Sequence, residues 1–108
     1  MNKPTWKNVH VDDYGWIGKL RLVQDRIPVD VSTYTTLRYV FEAPSGATKL
    51  ATATLDTTGV DGILKCTIGQ GVIDEVGQWQ VQARISKAGA EITSDSVYFD
   101  VEERVIAP

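Results

Sequence analysis

Between Gly77 and Ser86 the chain reads GQWQVQARIS, and every second residue is apolar. Trp79, Val81, Ala83 and Ile85 fall on one side of an extended backbone, and Gln78, Gln80, Gln82 and Arg84 fall on the other. Successive strand side chains alternate between faces, whereas a helix needs a period near 3.6. The period of two recurs along most of the chain and is broken every ten residues or so by turn formers. That spacing predicts many short strands closed into a sandwich or barrel.

The rest of the chain fits the same frame. GWIGKLRLVQ (15–24) sets Trp16, Leu20 and Leu22 against Lys19 and Arg21. Asp25 to Pro28 reads as a turn, since Pro28 cannot donate to a ladder. Val29 and Val31 follow, then a strand with Leu37, Tyr39 and Phe41 in phase, and a hairpin signal at Pro44-Ser45-Gly46. Thr48 to Asp56 reads as one threonine-rich strand whose small apolar positions, Ala51 and Ala53 with Leu55, suit a sheet edge or a crowded neighbour. Gly59 and Asp61-Gly62 turn the chain, and Leu64, Cys66 and Ile68 share a face. Residues 69–77 form a longer connection with one helical turn expected around Val72 to Val76. After Ser86 come a tight turn at KAGA and a last strand with Val97, Phe99 and Val101 facing in.

No stretch offers a helical stripe of three turns. The expected fold is all-β, an immunoglobulin-like β-sandwich of about seven to nine strands, because connections as long as 69–77 suit strands that change sheets. The 108 residues are expected to form a single domain, with 1–13 as an N-terminal arm or first strand and 103–108 as a C-terminal tail. Asp74, Gly77 and Trp79 have the form of a sandwich corner: an acidic turn, a glycine, then an aromatic near the strand start. If buried there, the Trp79 ring N–H needs a loop carbonyl.

Chemistry is sparse. The net charge is −3 and the eleven basic residues are scattered, which argues against a phosphate-tracking face and hence against nucleic acid. No window approaches the ~20 apolar residues of a membrane span, and the N-terminus has no signal-like apolar core. One cysteine, Cys66, excludes an internal disulfide and fits folding in a reducing cytoplasm. With one histidine, His10, it cannot supply a zinc site. His10 has Asp12 and Asp13 nearby but no serine elbow. Gly69 to Asp74 lacks the third glycine of a dinucleotide fingerprint. Asp56, Asp61 and Asp74 or Glu75 could gather around calcium, yet their spacing fits no known calcium loop, and turn formation explains them more cheaply. We therefore expect a non-enzymatic chain with no catalytic, cofactor or metal residues. Aromatics remain as interface or ligand candidates: Trp6, Tyr14, Trp16 and Tyr98. The plainer reading of the first two tryptophans is that Trp16 is core and Trp6 caps the end of the sandwich.

Taken in order, these pieces resemble the immunoglobulin-like N-terminal domain of phage baseplate upper proteins. That family runs through a turn of the form D-G-x-P-V-D-L-S, an R-x-V/I-F strand ending in P-x-G, a DG-I/L turn and a D-x-x-G-x-W/Y corner. Here Pro28, Val29, Asp30, Val31 and Ser32 match the first turn, with Arg26 in place of the usual glycine. Arg38, Val40 and Phe41 match the strand, Asp61, Gly62 and Ile63 the second turn, and Asp74, Gly77 and Trp79 the corner. The likeness spans residues 14 to 103. It implies a structural or assembly component of a tailed-phage virion, made in the host cytoplasm and incorporated into the particle as a baseplate, tail, neck or capsid-decoration protein. Its expected partners are other virion proteins or copies of itself, docked through edge strands, the N-terminal segment and the tail. A carbohydrate- or host-receptor-binding module, with Tyr14, Trp16 or Tyr98 stacking on a glycan, is the alternative.

Overall fold

The period-two stretches become short strands joined by turns. The computed structural model describes residues 6–105, so residues 1–5 of the expected arm and 106–108 of the expected tail lie outside the described residues. In chain order the strands are β1 (Val9–His10), β2 (Ile17–Arg21), β3 (Val23–Gln24), β4 (Ile27–Pro28), β5 (Thr36–Glu42) and β6 (Thr48–Thr52). They continue with β7 (Thr54–Leu55), β8 (Ile63–Thr67), β9 (Gly77–Lys87), β10 (Ala90–Thr93) and β11 (Val97–Glu102).

The fold is all-β. β9 is the longest strand and the spine of the larger sheet, whose order is β1-β11-β9-β5-β6. β5 runs antiparallel along one side of β9. On the other side β11 pairs with the first half of β9 and β10 with the second. β1 joins β11 in parallel, Val9 opposite Val101. A smaller sheet of order β2-β8-β7 and a separate β3–β4 hairpin complete the strands.

More strands form than the expected seven to nine, for two physical reasons. The stretch Thr48 to Leu55 is two strands: β6 belongs to the larger sheet and β7 to the smaller, and the chain changes sheets at buried Ala53. The Asp25–Pro28 turn is a hairpin with its own ladder, Val23 opposite Pro28. The helical turn expected around Val72 to Val76 does not form. The 69–76 loop is irregular, and it inserts Ile73 into the core, fully buried.

One core joins the two sheets. Trp79, Val81, Ala83 and Ile85 of β9 and Tyr39 and Phe41 of β5 meet Leu20, Leu64 and Cys66 from the smaller sheet. Burying these side chains, each contributing about 1.5–3 kcal/mol for the aliphatic ones, is the main stabilisation. Tyr39 crosses between the sheets. Its hydroxyl lies 2.9 Å from the carbonyl oxygens of both Gly18 and Leu64, so its single proton is shared between neighbouring strands.

Candidate functional site

Asp74, Gly77 and Trp79 lie at the entry to β9. Gly77 has φ of 132°, and a side chain there would place Cβ 2.7 Å from Pro44 Cγ. Two residues on, Trp79 is fully buried and its Nε1 donates to Glu75 O at 3.0 Å, the loop carbonyl that the ring required. The same loop is tied to the β5–β6 hairpin. Ser45 donates from its backbone N (3.1 Å) and its hydroxyl (2.7 Å) to the Glu75 carboxylate. Lys49 Nζ reaches Asp74 Oδ2 at 2.6 Å and donates to Gly71 O at 2.9 Å. Asp74, Gly77 and Trp79 thus act together, and they act on architecture.

The four aromatic candidates separate into two pairs. Trp6 is half-buried and folds back over Gly18, donating from Nε1 to Lys19 O at 2.9 Å. Its ring meets Trp16 edge-on at 5.5 Å and lies 5.1 Å from Phe99. The seat exists because residue 18 is glycine: a Cβ would stand 2.5 Å from the Trp6 ring. Trp16 is half-buried as well and packs against the core. Tyr14 and Tyr98 are the exposed pair, at 57% and 60%. Among the described residues neither ring pairs with another aromatic, so these four do not form one stacking platform.

Tyr98 does border an open cleft of about 620 Å³, lined also by Trp6, Lys7, Asn8, Asp100 and Glu102. The cleft exists because β1 pairs with β11 over only two residues, and Asn8, at φ of 58°, turns the preceding chain away toward the smaller sheet. Lys7, Asn8, Asp100 and Glu102 carry no aromatic or cysteine signature, and only their position beside β11 marks them. On the outer face of the larger sheet, Arg38 and Arg84 stand opposite one another. Leu50 is 61% exposed there, opposite Val40 on β5. Its signal was present in the sequence: a leucine out of phase with Ala51, Ala53 and Leu55.

No protein-family model matches this chain, and no curated protein matches it.

The titratable groups stay dispersed. The His10 backbone N donates to Asp13 Oδ2 at 3.0 Å, and His10 Nδ1 lies 3.8 Å from the same oxygen. Arg104 Nη2 takes the other Asp13 oxygen at 3.2 Å and also donates to Asp12 O at 3.3 Å, pinning the start of the tail to the N-terminal turn. Asp56 pairs with Lys19 at 3.2 Å, and Asp61 Oδ1 accepts the Ile63 N–H at 3.1 Å. Those acids and the Asp74–Lys49 pair therefore have separate partners, and among the described residues no three histidines, cysteines or carboxylates converge. Burial pushes the Cys66 thiol above its ordinary value, so it stays protonated at neutral pH. Burial, with the Cys66 thiol adding, also pushes up the Tyr39 phenol. Both groups sit inside the core rather than at a cleft.

Proposed function

We propose that this chain is an immunoglobulin-like β-sandwich module and a non-enzymatic structural component of a tailed-phage virion, acting through contacts with other virion proteins or with copies of itself. The strand order supports the fold reading. β11-β9-β5-β6 corresponds to strands G, F, C and C′ of one immunoglobulin sheet, and β2-β8-β7 to strands B, E and D of the other. Trp79 then stands at the start of strand F, two residues before Val81, where antibody domains carry a disulfide cysteine.

The virion assignment rests on the ordered motifs, of which all but the Arg38–Phe41 strand motif have a turn-forming task here. Asp30 accepts from the Ser32 hydroxyl (2.6 Å) and backbone N (3.0 Å), and these bonds hold its carboxyl below its ordinary pKa. Asp61 caps the turn into β8, and the Asp74–Trp79 corner opens β9. Shared punctuation of this kind supports shared architecture, and the role follows from the resemblance. Dispersed acids and an open strand edge on the larger sheet suit docking better than catalysis.

Antibody raised against the purified chain should label tailed particles released by cells that encode it, at one fixed place on each particle. Particles without label, alongside label on cell debris, would overturn the virion reading. One observation favours the glycan reading as a second: the exposed Tyr98 beside the amide of Asn8 and the carboxylates of Asp100 and Glu102. Binding on a glycan array that Tyr98→Ala abolishes would establish it.

A further inference from the structure

β6 closes one side of the larger sheet, and its pairing with β5 fixes where its backbone groups point. Ala53 N donates to Leu37 O at 2.9 Å and Ala43 N to Ala47 O at 2.8 Å, at the two ends of this ladder. Between them Tyr39 opposes Ala51 and Phe41 opposes Lys49. Bonded and non-bonded pairs alternate in an antiparallel ladder, so Lys49 and Ala51 direct their N–H and C=O groups at β5. Thr48, Leu50 and Thr52 turn theirs outward, and among the described residues no backbone group of another element meets them.

Open edges are commonly guarded by a free lysine, a proline or a bulge. β6 has no proline, and its register with β5 runs unbroken from Thr48 to Thr52. Its one lysine, Lys49, is held by Asp74 and Gly71 O and does not project along the edge as a free charge. What the edge does present is Leu50, 61% exposed, continuous with Val40 on the outer face.

We propose that β6 pairs antiparallel with β6 of a second copy, about a two-fold axis at Leu50, to make one continuous sheet. The self-complementarity of the edge names the occupant. With Leu50 opposite its own mate, Thr48 opposes Thr52 and Lys49 opposes Ala51. Threonine meets threonine, leucine meets leucine, and no charge meets its like. The register also joins the outward groups: Leu50 exchanges both backbone bonds with its mate, and each Thr48–Thr52 pair does the same. Sliding it one way sets Lys49 against Lys49 of the second copy. Sliding it the other way shortens the ladder and separates the leucines. The interface is isologous and closed, so association stops at the dimer.

Light scattering across a wide concentration range reads the pairing directly. The mass should climb from that of an 11.9 kDa chain toward about twice that value at millimolar protein. Leu50→Lys sets two ammonium groups against each other at the axis. Leu50→Pro removes an outward N–H without costing a bond to β5. Both variants should stay monomeric, and Leu50→Lys should keep the dilute thermal midpoint of the parent chain, which guards against misfolding of the proline variant. Amide exchange adds a signature of register. Lys49 and Ala51 should be protected at every concentration, whereas Thr48, Leu50 and Thr52 should gain protection only as dimers form. A mass that stays at the monomer value, dimers that survive Leu50→Lys, or protection gained at β11 instead of β6 would overturn the proposal. The pairing does not depend on the virion reading. A strict monomer sinks the first and leaves particle labelling to decide the second.

Discussion

The corner around Trp79 and the N-terminal segment around Trp6 place the same side chain against the same core by different means. Trp79 lies on the longest strand, is fully buried, and donates to a carbonyl four residues back, at Glu75. Trp6 lies outside any strand, is half-buried, and donates thirteen residues ahead, to Lys19. The first is fixed by its own strand and loop. The second is fixed by a hole that Gly18 leaves in a strand of the other sheet. Local fixation makes a residue part of the cooperative fold, whereas remote fixation makes it a segment that can detach while the two sheets persist.

The largest expected effect follows from that difference. Trp79→Ala should cost about 3–5 kcal/mol, a large part of the ~5–15 kcal/mol that such domains possess. Denaturant unfolding should show either a much lower midpoint or no folded state. Trp6→Ala should cost roughly half as much, about 2 kcal/mol, because the ring is only half-buried. Gly18→Ala tests the seat. Its Cβ would stand 2.5 Å from Trp6, so in the parent chain the ring is displaced and about 1–2 kcal/mol is lost. In the Trp6→Ala background the same substitution should be neutral or slightly stabilising, since alanine suits a strand better than glycine does. Equal costs in both backgrounds would break the comparison.

The same distinction explains what could be read in advance. Alternation gave the faces of β5, β9 and β11, because burial on one face leaves a period of two in the residues themselves. The corner was legible because its glycine, its tryptophan and its carbonyl partner lie within five residues of one another. The change of sheets at Ala53 left no such mark. β6 and β7 share one alternating run, and only the long-range partners of each residue divide it. The 69–76 loop misled because Val72 to Val76 mixes apolar and acidic residues as a helix does, while burial of Ile73 is set by a tertiary contact. The cleft beside Tyr98 was illegible for a related reason: Lys7, Asn8, Asp100 and Glu102 are ordinary surface residues until Asn8 turns the chain.

Tyr39 lies beside the β9 spine, opposite Ala83, with its ring 6.3 Å from that of Trp6, and its chemistry predicts how alkali acts on the fold. Its phenol and the Cys66 thiol are both held above their ordinary values of 10.0 and 9.0 by burial. Below those values neither group affects stability. Above them the unfolded chain gives up protons that the folded chain retains, so stability should fall as pH rises past about 9, and more steeply past about 10. Because the Tyr39 hydroxyl rests on the carbonyl of Gly18, which seats Trp6, the N-terminal side should loosen first. Tryptophan fluorescence of the parent chain and of a Trp6→Phe chain, in which Trp79 is kept, each scanned over pH, separates the two. Tyr39→Phe should cost about 0.5–1.5 kcal/mol at neutral pH by removing the hydroxyl's hydrogen bond to the Gly18 and Leu64 carbonyls, which keep their β2–β8 ladder donors, and it should flatten the steeper part of the alkaline slope.

The smallest effect lies outside both regions, in the β3–β4 hairpin. Its two-residue turn needs positive φ at both central positions, which Asp25 adopts at 51° and Arg26 at 67°. Aspartate tolerates this region, but arginine has no side-chain compensation there and bears about 1–2 kcal/mol of steric cost. Glycine removes that cost and returns about 0.5–1 kcal/mol of it as freedom in the unfolded chain. Arg26→Gly should therefore stabilise by about 0.5–1 kcal/mol, read as a higher denaturant midpoint at unchanged slope. The hairpin pairs with neither large sheet, so the gain should add to the cost of Trp6→Ala without coupling. A gain that vanished in the Trp6→Ala background would mean that the hairpin and the N-terminal segment move as one unit. The contrast would then lie between the β9 spine and everything packed around it, rather than between local and remote tryptophans.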